Sequence, residues 1–75
     1  MTAKDILRNF LEVRREVSSR EIMELLARYG YSLSMIRHVI REAKLMGWIE
    51  PRMRNRFGMW IYRSNLFRRE EGEER

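Results

Sequence analysis

Hydrophobic residues recur at helical spacing in three stretches of the chain. Over residues 3–14, 19–29 and 33–46 they lie three or four positions apart, which places them on one face of an α-helix. We therefore predict an amphipathic helix over each of these ranges. Their expected core faces consist of Ile6, Leu7, Phe10 and Leu11, then Ile22, Leu25, Leu26 and Tyr29, then Ile36, Val39, Ile40 and Ala43.

Polar residues and a glycine mark where the second helix begins and ends. Ser18 and Glu21 have the spacing of a capping box, in which each side chain accepts a hydrogen bond from the backbone N–H of the other residue. Gly30 can adopt the left-handed conformation that ends a helix. Only Tyr31 and Ser32 remain before the third helix, so we expect a tight turn with Ser32 as the next N-cap.

Residues that favour β-strands follow the third helix. They predict a two-stranded hairpin over residues 48–63, with its loop at residues 53–58. Pro51 cannot donate a hydrogen bond to a neighbouring strand, so the first strand should be short, at an edge or interrupted there. Residues 64–75 are expected to form a charged, frayed tail, in which Leu66 and Phe67 could form a helical turn.

The order of these elements predicts one domain over residues 1–75. Its class is mainly α with a small β-hairpin, and therefore α+β. No apolar run approaches the roughly 18 residues that span a bilayer, and the N-terminus lacks the layout of a signal peptide. We therefore expect a cytoplasmic protein without a membrane partner.

Positive charge is concentrated in the middle of the chain. The formal net charge is +5, and residues 32–63 carry seven basic residues against two acidic ones. Most of the basic residues are arginine, whose planar guanidinium forms paired hydrogen bonds to a phosphate or a guanine edge. This excess favours a polyanionic partner such as nucleic acid.

A family resemblance covers the segment Ser18–Arg52, SSREIMELLARYGYSLSMIRHVIREAKLMGWIEPR. It resembles winged helix-turn-helix transcriptional regulators, which commonly show a capped second helix, a turn, a third helix ending in glycine and an apolar strand that opens the wing. In this sequence those roles fall to Ser18, to residues 30–32, to Gly47 and to residues 48–49.

The resemblance implies a winged helix-turn-helix fold, with three helices followed by a two-stranded wing, and binding of double-stranded DNA. Met35 stands where the family often has threonine, so we include it among the expected DNA contacts as a departure from the pattern. The small size, the arginine bias and the lack of an effector domain also resemble compact regulators of archaeal viruses and plasmids from hot acidic springs. That likeness implies a thermophilic host and a location in the host-cell cytoplasm.

The third helix has a basic side opposite its core face. Arg37, Arg41 and Lys44 lie four and then three positions apart and form one stripe. A helix fits the major groove, where its early residues reach base edges and later cations meet phosphates. We expect Ser34, Arg37 and His38 to read bases, Lys44 to contact the backbone and Arg41 to lie between these roles. The alternative is a charged helix side that only faces solvent.

Every second residue from position 52 to position 56 is arginine. Strict alternation along an extended strand would point Arg52, Arg54 and Arg56 to one side. Such a hairpin could follow a phosphate backbone or place an arginine in the minor groove. Alternatively, the charges protect an edge strand from aggregation.

Aromatic residues flank this arginine run. Trp48, Trp60 and Tyr62 are expected to pack the hairpin onto the helices, with Phe57 near the exposed tip. The alternative is that these rings stack on the bases of a single strand.

The sequence offers little for catalysis. His38 is the single histidine and there is no cysteine, so no metal site is expected. Neither a phosphate-binding glycine loop nor a nucleophile with a base partner is visible. We therefore expect no enzyme activity, no cofactor and no small-molecule ligand.

These observations together predict a sequence-specific, double-stranded DNA-binding transcriptional regulator. One reading helix covers few base pairs, so we expect a homodimer on a palindromic or repeated site. The first helix or the Leu66 and Phe67 segment would provide the dimer surface. A protein-interaction module within a transcription assembly and a single-stranded nucleic-acid binder remain as alternatives.

Overall fold

A computed structural model describes residues 1–68. This part of the chain forms three helices and a three-stranded antiparallel sheet, which confirms the α+β class. Each helix ends one or two residues earlier than the sequence predicts. The elements are α1 (Ala3–Glu12), β1 (Glu16–Ser18), α2 (Ser19–Arg28), α3 (Leu33–Leu45), β2 (Ile49–Arg54) and β3 (Trp60–Ser64).

The sheet contains one strand that the sequence does not predict. The expected hairpin is present as β2 and β3, but β1 pairs with the other side of β3 and places Val17 opposite Tyr62. The expected two-stranded wing is therefore not confirmed. β1 has only three residues, with one buried side chain at Val17, so it shows no alternation along the sequence.

Capping side chains start α1 and α3. The Thr2 hydroxyl accepts from the Asp5 N–H at 3.2 Å, and the Asp5 carboxylate accepts from the Thr2 N–H at 3.0 Å. That second hydrogen bond lowers the pKa of Asp5. At α3 the Ser32 hydroxyl accepts from the Met35 N–H at 3.2 Å, as predicted.

The predicted capping box starts α2 directly where β1 ends. The Ser18 hydroxyl accepts from the Glu21 N–H at 3.0 Å, and the Glu21 carboxylate accepts from the Ser18 N–H at 2.8 Å. The Arg14 guanidinium also donates to Glu21, at 2.7 Å. Partial burial raises the pKa of Glu21, but these hydrogen bonds outweigh it, so the pKa lies below the ordinary value of a glutamate.

A tight turn fixes α3 relative to α2. The chain leaves α2 at Gly30, whose φ of +90° lies in the left-handed region that favours glycine. The Tyr31 N–H donates back to the Leu26 carbonyl at 3.2 Å, which satisfies one of the free carbonyls at the helix end. The predicted turn between the two helices is confirmed.

The core lies between the three helices and the inner face of the sheet. Most of the predicted face residues are buried or pack against buried residues, but Tyr29 is 61% exposed and that prediction is wrong. Tyr29 follows the last residue of α2, where the chain has already begun to turn away from the core. The fully buried side chains include Leu7, Leu11, Val17, Ile22, Leu26 and Ile49.

The end of β3 is tied to the end of α1. Ser64 is buried, and its hydroxyl donates to the Leu11 carbonyl at 2.7 Å. Asn65 follows in a turn, and its side-chain amide donates to the Gly47 carbonyl at 2.9 Å. The expected tail over residues 64–75 therefore starts too early, because Ser64 belongs to the sheet. Its residues 69–75 lie outside the described part of the chain.

Within residues 1–68, none of the helices has both the length and the apolar composition that a membrane span requires.

We predict that Ser64→Ala destabilises the protein by about 1–3 kcal/mol, because the Leu11 carbonyl would remain buried without its hydroxyl donor. Ser34→Ala is the matched control, since Ser34 is exposed on α3 and its replacement should change stability by less than about 0.5 kcal/mol. Urea unfolding measures both changes. Equal stability of the two variants would contradict the role assigned to Ser64.

A second prediction concerns acid. Because the pKa of Glu21 is lowered by folding, its contribution to stability is present above the ordinary glutamate pKa of about 4.3 and is lost as pH falls through the lower, folded value. Near neutral pH, Glu21→Gln should cost up to about 1 kcal/mol, and this cost should disappear in acid. Unfolding curves across this pH range test it. Glu24→Gln, at an exposed glutamate of the same helix outside the capping box, is the control for the removal of one carboxylate.

Candidate nucleic-acid interface

One side of α3 is open to solvent. Burial of Ile36, Val39 and Ala43 fixes the rotation of the helix about its axis. The opposite side carries exposed residues, which line a shallow depression together with Leu33. The predicted base-reading residues are therefore brought together on one surface. They are Ser34, Arg37 and His38, and Arg41, which was expected to lie between base and backbone contacts, joins them there.

The remaining candidates on α3 lie at the borders of this surface. Met35 is 43% exposed and borders a second depression, which it shares with His38 and with Met1 at the N-terminus. Lys44 is exposed near the end of α3, and its ammonium lies 5.4 Å from the centre of the Tyr62 ring in β3. Lys44 thus connects the basic side of α3 with the sheet.

A β-bulge interrupts the arginine run of the hairpin. Pro51 is opposite Tyr62 and Met53 is opposite Ile61, so Arg52 is an extra residue between two paired positions. The expectation that three arginines share one side through strict alternation is therefore wrong. The expected disturbance at Pro51 is confirmed, since the bulge follows it directly and β2 is an edge strand of the sheet.

The bulge turns Arg54 towards the helical side of the sheet. Arg54 is opposite Trp60, and residues opposite each other in an antiparallel pair share a face. Trp60 in turn shares its face with the buried Tyr62, two residues along β3. The guanidinium carbon of Arg54 lies 4.8 Å from the centre of the Trp60 ring. The hairpin thus holds this cation on an aromatic plane.

The aromatic residues divide between two environments. Tyr62 is buried and Trp48 packs against the core, as predicted. Trp60 is 37% exposed and supports Arg54 instead of packing into the core, so its predicted role is wrong. Phe57 lies in the turn between β2 and β3 and is 78% exposed, which confirms its place at the tip. The guanidinium carbon of Arg56 lies 5.6 Å from the centre of the Phe57 ring.

Ion pairs divide the cations into two groups. Several of those on α1, on α2 and between them have carboxylate partners: Lys4 with Glu42, Arg8 with Glu12, Arg14 with Glu21, and Arg20 with Glu24. Within residues 1–68 the six candidate cations have no carboxylate within 4.0 Å. They are Arg37, Arg41, Lys44, Arg52, Arg54 and Arg56.

The two acidic residues within residues 32–63 lie beside cations that are not among these candidates. The Glu42 carboxylate is 3.5 Å from the ammonium of Lys4 on α1, and the Glu50 carboxylate is 4.0 Å from the guanidinium of Arg63 on β3. Their negative charge is thus offset by residues outside the candidate set. The exposed side of α3 and the hairpin keep their positive charge.

Two other kinds of site were sought over the same residues. The described part of the chain contains no group of three or more histidine, aspartate or glutamate side chains that could hold a metal ion. An open, mainly apolar groove does lie between α2 and α3, and its lining includes Met23, Ala27, Tyr31 and Leu33.

Comparison of the chain with known protein families, curated proteins and solved structures finds no match.

Proposed function

We propose that the protein is a winged helix-turn-helix domain that binds double-stranded DNA and regulates transcription. The single observation that supports this most strongly is that ion-paired cations and cations without a carboxylate partner lie on different parts of the fold. Lys4, Arg8, Arg14 and Arg20 are paired with carboxylates. Within residues 1–68, by contrast, six exposed cations of α3 and the β2–β3 hairpin have no carboxylate within 4.0 Å: Arg37, Arg41, Lys44, Arg52, Arg54 and Arg56. Unpaired arginines bind phosphate without first breaking an internal ion pair.

In this proposal α3 enters the major groove. The groove is about 12 Å wide, and an α-helix with its side chains is about 10–12 Å across. Ser34, Arg37 and His38 lie in the first half of α3 and would meet base edges. Arg41 and Lys44 follow one and two turns further along and would contact phosphates.

The hairpin of β2 and β3 would act as the wing. Arg54 lies on the same face of the sheet as Tyr62. Tyr62 packs into the core, whereas Arg54 lies beyond the buried part of that face. Arg52 and Arg56 are exposed at the bulge and in the turn. These cations would follow the backbone next to the groove that α3 occupies, or enter the minor groove.

We propose that two copies bind one DNA site, because α3 alone reads too few base pairs to select a site in a genome. Of the two expected dimer surfaces, the Leu66 and Phe67 segment is already partly used within the chain. Leu66 packs against the core, and the guanidinium carbon of Arg15 lies 4.6 Å from the centre of the Phe67 ring. The apolar face of α1 is also buried within the chain, at Ile6, Leu7 and Leu11. Both expected dimer surfaces therefore stay as proposals.

A second candidate function is docking of a protein partner. It is favoured by the apolar groove between α2 and α3, where Leu33 is 48% exposed. Such a groove accepts apolar side chains and gives binding that depends little on salt.

A third candidate function is binding of single-stranded nucleic acid, which the exposed rings of Phe57 and Trp60 favour. Salt dependence and strand preference distinguish these functions.

We predict that binding to duplex DNA weakens steeply as the salt concentration rises. A titration with duplex DNA at several salt concentrations measures this dependence. Each neutralised phosphate contributes about −0.9 to the log-log slope, so the six candidate cations of α3 and the hairpin predict about −4 to −6 per protomer. Competition with the separated strands should leave the duplex complex intact. A flat salt response favours protein docking, and displacement by a single strand contradicts groove binding.

Alanine variants test the division of labour between the helix and the wing. Arg37→Ala should cost about 1–3 kcal/mol and relax base preference, whereas Arg54→Ala should weaken binding to all duplexes similarly. Arg20→Ala, on α2, is the control, because it removes the same charge from a residue that pairs with Glu24 and lies outside both expected dimer surfaces. Affinities measured on a selected duplex and on an unrelated duplex separate the effects. Identical behaviour of all three variants on both duplexes would contradict the assignment.

A further inference from the structure

Phe57 is the most exposed aromatic side chain of the described residues. A single exposed phenylalanine is ordinary on a protein surface. Phe57, however, lies at the outermost point of an arginine-rich hairpin, in the turn that joins β2 to β3. No role in the core or in the sheet accounts for a large apolar ring at this place.

The turn that carries Phe57 is held by its own hydrogen bonds. The Asn55 side-chain oxygen accepts from the N–H groups of Phe57 and Met59 at 2.9 and 3.0 Å. The backbone of Asn55 also bonds to Gly58 and to Met59, each at 2.9 Å. Gly58 has a φ of +78°, which closes the turn in a conformation that favours glycine. The ring is thus presented on a preorganised backbone, so little ordering is required when it binds.

Two guanidinium groups of the same hairpin lie against aromatic rings. Arg56 lies over Phe57 itself, and Arg54 is held on Trp60 at the end of the paired strands. The tip therefore combines one apolar plane with flanking guanidinium groups. A DNA minor groove has the complementary arrangement, with phosphates along its walls and stacked bases at its floor.

We propose that Phe57 is a wedge that enters the minor groove, partly unstacks one base step and bends the duplex. This inference rests on the proposed binding of double-stranded DNA. Arg54 and Arg56 would hold the tip between the phosphate strands while the ring replaces part of the lost base stacking. Apolar wedges of this kind bend DNA by about 20–90°. Flexible TA and CA steps deform most easily, so Phe57 also adds sequence preference at positions that α3 does not contact.

The experiment measures DNA shape separately from affinity. A set of A·T-rich duplexes carries 2-aminopurine in place of one adenine at a time, and a matching set carries a fluorescence donor and acceptor at its ends. The wild-type protein should raise the 2-aminopurine emission at one step and shorten the end-to-end distance. Phe57→Ala should still bind, with about a 5- to 150-fold loss of affinity, and should abolish both signals at saturating protein, while Phe57→Leu should keep part of them.

Met53→Ala is the matched control. Met53 is also an exposed apolar residue of the hairpin, but it lies in β2 and not in the turn. Its variant should bend DNA as the wild type does. Bending by Phe57→Ala equal to that of the wild type, or binding by the wild type without bending, overturns the wedge but leaves DNA binding standing. Failure of the wild type to bind any duplex overturns both.

Discussion

Packing of α3 against the core through Ile36, Val39 and Ala43 is the constraint on which the rest of the arrangement depends. These three residues fix the rotation of α3, and the tight turn after Gly30 fixes its position relative to α2. With both fixed, the residues between the apolar positions must face outward together. A surface with several arginines then arises from the same pattern that builds the core.

The sheet extends this surface away from the helices. Tyr62 occupies the centre of β3, where β1 and β2 flank it on either side, and its buried ring anchors the sheet to the core. β1 leads directly into the capped start of α2, so the sheet is joined to α2 without an intervening loop. The hairpin is consequently held by β1 and by the core, although only Ile49, Tyr62 and Ser64 of its two strands are buried.

Sequence patterns predicted the features that depend on neighbouring residues. The capping box of Ser18 and Glu21, the turn at Gly30 and the helical core faces are local signals, and the structure contains them. Features that depend on distant partners were missed. β1 exists because Val17 meets Tyr62. Pro51 indicated a disturbance of β2, but the extra residue at Arg52 depends on the register with β3. Neither condition is visible in three or four consecutive residues. The predicted packing of Trp60 was wrong for the same reason, because its ring contacts Arg54 on the neighbouring strand.

The position of Pro51 and the bulge has a consequence for how copies of the protein can meet. β2 forms one outer edge of the sheet, and an unbroken edge invites another chain to add a strand to it. Here the proline removes one main-chain donor and the extra residue at Arg52 breaks the spacing of the next. Continuous strand addition along β2 is therefore blocked, and the hairpin can remain exposed at high protein concentration without becoming a template for fibrils.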